Sequence, residues 1–331
     1  MKKIYLLSTV FLCSLLLLAG CGGSNGASGD AKQLRLAHNL SEEHPVHKAL
    51  ENFSEGVEEK TNGEVTVKLF ANGVLGSEKE VLEQLQSGAV DMTKVSAGAL
   101  ESFASEYSVF SLPYIFESKE HYRTVMESDV VQGIYQSTAD QGFLGLTYFD
   151  SGARSFYTKD TPIQTPADLA GLKIRVMDSP TAIQMVELLG GTPTPMPYGE
   201  IYTALQQGVV DGAESNPTAL TTGKHGEVAK AFSFNEHTMI PDVAIISQKT
   251  WDSLSDEHKV ALEEAAQEAT KYHTEIWNKA MDEAVTDAEE MGVEFYEVEK
   301  EPFIDAVQPL HDEFMKDEDI AQIIEDMKAL K

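Results

Sequence analysis

The sequence predicts a two-lobed α/β protein, with a ligand cleft between the lobes and a long helix spanning both. Three observations carry this expectation. Residues 80–91 and 200–211 echo one another. A small-residue break near residue 152 separates two β-prone runs. Residues 256–290 form one helical stretch too long for a single small lobe.

The echo is specific. Glu80-Val81-Leu82-Glu83-Gln84-Leu85-Gln86-Ser87-Gly88-Ala89-Val90-Asp91 matches Glu200-Ile201-Tyr202-Thr203-Ala204-Leu205-Gln206-Gln207-Gly208-Val209-Val210-Asp211, with Glu, Leu, Gln, Gly, Val and Asp in register. Both segments read as a helix ended by a glycine C-cap and followed by a short strand. Asn62-Gly63-Glu64 precedes an expected strand at Val65 to Phe70, and Ala170-Gly171-Leu172 precedes another at Lys173 to Met177. Each unit is an α/β unit with a parallel sheet. Two copies are too few for a solenoid and point to two similar lobes. The plain alternative is convergence of unrelated segments on one solution.

The remaining elements fit this plan. A strand at Leu34 to Ala37 leads to an amphipathic helix near His47 to Lys60, striped by Ala49, Leu50, Phe53 and Val57. Leu144 to Phe149 and Ser155 to Thr158 are β-prone runs, and Ser151-Gly152-Ala153 between them marks the first crossing between lobes. Val243 to Ser247 reads as a fully buried strand. The long helix runs from Asp256 to Glu290, with Ser255 as N-cap, Asp256 and Glu257 in the first turn and Gly292 at its end. Leu262, Ala265, Ala269, Tyr272, Ile276, Ala280 and Ala284 are its expected buried face. At ~1.5 Å per residue it is about 50 Å long. The expected division is lobe I at 34–151, with about 241–280 returning to it, and lobe II at 152–240, with about 281–331 packing on it.

The first residues predict export. Lys2 and Lys3 precede an apolar run from Ile4 to Leu18, the length of a signal-peptide core and short for a membrane span. Leu18-Ala19-Gly20-Cys21 has the form of a bacterial lipobox. Residues 1–20 are therefore expected to be a lipoprotein signal peptide, with Cys21 the lipidated residue. Residues 21–33, rich in Gly and Ser, read as a flexible tether. Cys13 falls in the leader, so the expected mature chain keeps no cysteine for a disulfide, a nucleophile or a metal site. The expected location is the outer face of the cytoplasmic membrane, held by the Cys21 lipid.

The formal net charge is -29. Nucleic-acid binding is excluded, because phosphate recognition needs a basic surface. The charge says little about a ligand, since exposed charges are screened beyond ~8 Å at physiological salt.

Candidate ligand residues follow from scarcity. The chain has four arginines, Arg35, Arg123, Arg154 and Arg175. Arg154 follows the Gly152-Ala153 break, and Arg175 sits among apolar residues in Lys173-Ile174-Arg175-Val176-Met177. A guanidinium fork matches a carboxylate in bidentate geometry. Either arginine binds a ligand carboxylate or it pairs with one of the chain's many acids. Ser215-Asn216-Pro217 follows the second repeat's strand, and Asn216 offers a donor and an acceptor, or simply a turn. Pro193, Pro195 and Pro197 stiffen the approach to Tyr198, which packs against a ligand or fills the lobe interface. Glu78 begins a helix and serves either its dipole or a ligand's hydroxyls. His47 and Lys48, near His38 and His44, are candidate polar contacts. His44-Pro45-Val46-His47 is a poor helical metal pair, because Pro45 is expected to break the backbone there, and no metal site is assigned. No nucleophile elbow, phosphate loop, His-Glu-x-x-His or dinucleotide fingerprint occurs, so no enzyme activity, catalytic residue or cofactor is assigned.

An ordered set of segments resembles the DctP-type solute-binding subunits of TRAP (tripartite ATP-independent periplasmic) transporters. These are Thr61-Asn62-Gly63, Leu75-Gly76-Ser77-Glu78, Gln86-Ser87-Gly88-Ala89-Val90-Asp91 and Leu112-Pro113-Tyr114. Then come Thr165 to Val176, Pro195 to Gln206, and Asp211-Gly212-Ala213-Glu214. Each is weak alone; their order and spacing across Leu34 to the end are specific. The resemblance implies a periplasmic-binding-protein-like fold. It implies that Arg175 makes the main salt bridge to a ligand carboxylate, that Arg154 helps orient the acid, that Glu78 contacts ligand hydroxyls and that Tyr198 borders the ligand. It implies delivery of the ligand to small and large membrane subunits, and the chain is expected to act as a monomer. One departure stands out: the family commonly has Asn directly after Asp-Gly-x-Glu, where this chain has Ser215, with Asn at 216. The expected ligand is a small organic acid, first a hexuronate and next a C4-dicarboxylate. A binding lipoprotein of an ABC importer, or of a chemosensory receptor, is the alternative.

Overall fold

A computed structural model describes residues 31–330; the expected signal peptide, Cys21 and most of the tether lie outside the described residues. The first half of the chain runs β1 (Lys32–Ala37), α1 (Pro45–Lys60), β2 (Val65–Phe70), α2 (Glu78–Ser87), β3 (Met92–Ser96), α3 (Ala97–Leu100), α4 (Lys119–Met126), α5 (Asp129–Ser137), β4 (Phe143–Phe149). The second runs β5 (Arg154–Thr158), β6 (Lys173–Val176), α6 (Pro180–Leu188), β7 (Thr192–Pro195), α7 (Ile201–Gln207), β8 (Gly212–Ser215), α8 (Thr218–Thr221), β9 (Ala231–Thr238), β10 (Asp242–Ser247), α9 (Gln248–Asp252), α10 (Asp256–Glu290), β11 (Glu294–Glu297), α11 (Glu301–Phe314) and α12 (Glu318–Ala329).

Two mixed sheets form the two lobes. The first has the order β2-β1-β3-β10-β4, the second β11-β9-β5-β8-β6-β7. In the first, β1 lies parallel to β2 and β3. In the second, β6 lies parallel to β7 and β8. Antiparallel strands complete each: β10 between β3 and β4, and β5 between β8 and β9. The chain therefore crosses at Ser151-Gly152-Ala153, returns between β9 and β10, and crosses again through α10 to β11. Gly152 has φ +67°, a left-handed conformation that suits glycine at this crossing. The prolines of β7 sit on an edge strand, where a missing N–H leaves no ladder bond unmade.

The repeat is physical. Gly88 and Gly208 cap α2 and α7 in the left-handed conformation, at φ 75° and 72°. Ala89 N–H then bonds Gln84 O at 2.8 Å, and Val209 N–H bonds Ala204 O at 2.9 Å. Asp91 Oδ2 accepts the Arg35 N–H at 2.9 Å, and Asp211 Oδ2 accepts the Lys173 N–H at 2.8 Å. Each Asp thus secures its own strand to the neighbouring parallel one.

α10 serves both lobes. Leu262, Ala265, Ala266 and Ala269 join the core between α1 and the first sheet, and Ala288 joins the core of the second. The expected face is right at Leu262, Ala265, Ala269 and Ala284 but shifts in the middle. Tyr272 is exposed, while His273 and Trp277 are buried. The helix leaves one core for the other there, so its buried stripe turns. Two further expectations are corrected. Pro45 does not break the chain at His44–His47; it occupies the first turn of α1, where a proline costs no hydrogen bond. Nor does all of 281–331 pack on the second lobe. α11 lies on α6 and β9, but α12 packs on α5 and the 3-10 turn Ser105–Ser111. Ile320, Ile324 and Met327 share a core with Tyr122 and Val125, and His121 Nε2 meets Met327 O at 3.0 Å.

Candidate functional site

The cleft between the two sheets is a cavity of about 700 Å³, bordered by Asn72, Gly73 and residues 76–80 on one side and by Arg175, Met177, Asp178 and residues 195–200 on the other. A smaller chamber of about 50 Å³ shares Asn39, Glu78, Arg175, Met177 and Tyr198 with it, and adds His44, Lys94, Arg154, Ser215, Asn216, Thr218 and Asp242. Arg175, Ser215 and Asn216 lie at or just past the carboxyl ends of the parallel strands β6 and β8. Ligand crevices in α/β sheets open at such ends.

The second-lobe wall carries two arginines in different states. Arg154 is bound within the protein: Nε donates to Glu214 Oε2 at 2.6 Å, and Nη2 to Glu214 Oε1 and to its backbone oxygen, both at 2.8 Å. Burial works against its charge, but Glu214 more than offsets this and holds the Arg154 pKa above its ordinary value. Arg175 is only 3 % exposed. Its Nε and Nη2 both donate to Met196 O, at 3.0 and 2.7 Å. Among the described residues no carboxylate lies within ion-pair distance of it. Burial lowers its pKa, the direction expected of a buried cation without a counterion.

Asn216 is oriented by its surroundings. Oδ1 accepts the Thr218 N–H at 2.9 Å and the Thr218 hydroxyl at 2.6 Å, and Nδ2 donates to Ser151 O at 2.8 Å. Ser215 is paired through β8 with Ser155 and also lines the inner chamber. Tyr198 borders both cavities, and burial pushes its phenol up to about 12.

The first-lobe wall is a buried cation held among acids. Lys94 is 2 % exposed. Its Nζ donates to Asn39 Oδ1 and to Asp242 Oδ1, each at 3.1 Å, and lies 3.7 Å from Glu78 Oε1. Glu78 Oε1 also accepts the Ser96 N–H at 3.0 Å. The capping of α2 falls to Ser77 and Glu80, which form a reciprocal box, so Glu78 is left to the cleft. Burial raises the Glu78 pKa, and Lys94 opposes that.

The structure thus brings Arg175, Arg154, Asn216, Ser215, Glu78 and Tyr198 together. It does not bring His47 or Lys48 to the cleft. His47 Nδ1 meets His38 Nε2 at 3.0 Å, and exposed Lys48 pairs with Glu51 at 3.0 Å. Asn39, His44, Lys94, Asp242 and Thr218, which line the inner chamber beside the six that do come together, are residues that sequence reasoning missed. Among the described residues no group of side chains has the makings of a metal site, and no helix is long and apolar enough to cross a membrane.

A buried guanidinium, that of Arg175, without a carboxylate partner among the described residues and facing a wall of acids and amides suits a ligand with one carboxylate and several hydroxyls. Relatives agree in kind. Residues 36–318 match the family described as bacterial extracellular solute-binding protein, family 7. The protein YiiZ of Salmonella typhimurium is 46 % identical over 281 residues, covering 84 % of this chain and 86 % of its own. A TRAP periplasmic solute-binding protein of Anaerococcus prevotii, solved with bound α/β-D-glucuronate, superposes with a TM-score of 0.88 at 39 % identity, covering 90 % of this chain and 98 % of that one. One from Xanthobacter autotrophicus, solved with bound β-D-galacturonate, gives 0.88 at 38 % identity, covering 90 % and 100 %. With the cleft, the crossings and the spanning helix already in place, these matches settle the family: the chain belongs to the bacterial extracellular solute-binding proteins of family 7 and is the extracytoplasmic solute-binding subunit of a TRAP transporter.

Proposed function

We propose that this subunit captures a hexuronate, D-glucuronate or D-galacturonate, and presents it to its membrane permease. The observation that carries this is Arg175, a buried guanidinium on the cleft wall with no carboxylate partner among the described residues. A ligand carboxylate supplies that partner. Arg154, Asn216 and Ser215 orient it, Tyr198 packs beside the ring, and Glu78 accepts from ring hydroxyls. The sugar acids bound by the two solved relatives support the same chemistry. Closing the cleft excludes water and strengthens the ion pair.

A C4-dicarboxylate fits less well. Its second carboxylate would meet Glu78 and Asp242, which outnumber Lys94 on the first-lobe wall.

Lobe I comprises 34–151 and about 241–280, with α12 returning to it; lobe II comprises 152–240 with 281–314. One chain supplies both walls of the cleft, so binding needs no second copy, and we take the unit to act as a monomer. Cys21 carries the lipid that holds it at the membrane surface, a role that rests on Leu18-Ala19-Gly20-Cys21.

The test is calorimetric titration of protein unfolded and refolded to strip bound ligand. The panel is D-glucuronate, D-galacturonate, diketogulonate, malate, succinate, sialate and glucose. Micromolar or tighter binding of a hexuronate, with glucose silent, is the expected result. Tight binding of succinate or of glucose, with both hexuronates silent, would refute it.

A further inference from the structure

One residue of the inner chamber has hydrogen bonds running from the first lobe to the second. His44 is the N-cap of α1, and its Nδ1 accepts the Val46 N–H at 3.2 Å. A ring nitrogen that accepts is unprotonated, and this ring is buried, which holds it neutral. The ring proton is thereby assigned to Nε2. Nε2 lies 3.2 Å from Thr218 Oγ1 and donates to it. The Thr218 hydroxyl in turn donates to Asn216 Oδ1 at 2.6 Å. Together with the Thr218 N–H, this occupies both lone pairs of Oδ1 and fixes which way the amide faces. Nδ2 then gives one N–H to Ser151 O and has a second for the chamber that Asn216 lines.

The relay sits at the chain crossing. A Cβ placed on Gly152 would meet Trp277 at 3.4 Å and Asn216 at 3.5 Å, and the Trp277 ring lies 6.0 Å from that of His44.

We propose that His44 is a positioning residue for ligand recognition: through Thr218 it fixes the amide of Asn216 and ties that group to the first lobe. The inference rests on the assignment of Asn216 as a ligand-orienting residue. Without the His44 donor, the Thr218 hydroxyl turns freely, and Asn216 loses one of the three bonds that hold its amide, those to the Thr218 N–H and to Ser151 O remaining.

His44 has two tasks, and two substitutions separate them. His44→Asn keeps an acceptor near the Nδ1 position, so α1 stays capped, but has nothing at the Nε2 position. His44→Gln places an N–H near the Nε2 position and gives up the cap. Affinity for D-glucuronate and D-galacturonate, and the Tm without ligand, are measured for each. His44→Asn is expected to keep its Tm and to weaken binding of the preferred hexuronate by about tenfold, the effect of one lost buried hydrogen bond. His44→Gln is expected to melt lower yet to recover most of the affinity. Thr218→Val is expected to weaken binding as His44→Asn does, and the double variant no further than Thr218→Val alone. His44→Asn binding like the wild type, while Asn216→Ala weakens binding, would overturn the role of His44 alone. Equal weakening by His44→Asn and His44→Gln would reduce His44 to a steric contact and overturn it too. Asn216→Ala without effect, or a wild type silent to both hexuronates, would overturn the underlying reading and the inference with it.

Discussion

Arg175 directs both Nε and Nη2 at one acceptor, the carbonyl oxygen of Met196. That carbonyl pins the plane of the guanidinium without neutralising it. Arg175→Lys keeps the charge but loses the fork. A lost charge-assisted hydrogen bond costs ~1.5–3 kcal/mol, so hexuronate affinity should fall by a factor of about ten to a hundred and fifty. Arg175→Met should abolish binding without lowering the Tm of the ligand-free protein, because a buried charge lacking a carboxylate does not stabilise the fold. Calorimetry and thermal melts read both; wild-type affinity in the lysine variant would contradict the assignment.

Arg154 makes the opposite prediction, because its partner is internal. Glu214→Gln leaves a buried guanidinium short of its carboxylate, which should cost ~3–5 kcal/mol of stability in urea titration. The pH dependence has a definite sign. Burial pushes the Glu214 carboxyl up, but Arg154 and His237 outweigh it and leave the pKa at about 2, below its ordinary 4.5. A depressed folded-state pKa means stability fully present above 4.5 and lost as pH falls toward 2. The Gln variant should lack that part of the acid slope. An unchanged slope would show that other carboxylates govern it.

Arg175 was legible because it is one of four arginines and stands between Ile174 and Val176, apolar residues that mark a buried strand. Gly88 and Gly208 were legible because a glycine C-cap is set by local geometry. Lys94 was not, since a lysine in Met92-Thr93-Lys94-Val95 reads as solvent-facing. Its burial depends on Asp242, which only the return of β10 to the first sheet brings alongside. Glu214 was hidden among 54 acidic residues. Nothing in the sequence separates His44 from His47 as a ligand contact, and the break expected at Pro45 bears only on a metal pair; Pro45 instead starts α1. With Pro45 as the first residue of α1, His47 meets His38 and His44 is the cap at the chamber.

The lipid anchor proposed at Cys21 gives a prediction independent of the ligand. In cells fed a labelled fatty acid, the protein should carry label and fractionate with membranes. Cys21→Ser should lose the label and, if exported at all, appear in the soluble extracytoplasmic fraction with hexuronate affinity intact. Label retained in the serine variant would place the lipid elsewhere.

Glu101 reaches from the first lobe to the start of α6 in the second. Ser179 Oγ donates to its Oε1 at 2.8 Å, and Thr181 Oγ1 and N–H donate to Oε2 at 2.9 and 3.3 Å. These bonds join the lobes beside the cleft and touch none of the proposed ligand groups. Glu101→Ala should therefore weaken the hold of one lobe on the other to the same extent whichever acid is bound. Stopped-flow measurements should show faster release and an affinity lower by about tenfold, given ~1–3 kcal/mol for lost charge-assisted bonds. The ratio of glucuronate to galacturonate affinity should not move. A changed ratio would place Glu101 in recognition instead.

Glu78 and Asp242 face the cleft across from Arg175, with Lys94 between them. A ligand carboxylate on Arg175 leaves its far end against this wall. Hydroxyls donate to the acids there, whereas a second carboxylate is repelled. Like charges placed in a buried cleft oppose binding by up to several kcal/mol. Glu78→Gln removes one of the two acids and keeps the shape. It should weaken hexuronate binding, because an accepting oxygen is lost, and raise the affinity for succinate, because repulsion is relieved. Selectivity for hexuronate over succinate should therefore fall by more than hexuronate affinity alone. Titration of both ligands against both proteins gives the comparison. Equal losses for the two would mean that Glu78 shapes the cleft without choosing between acids.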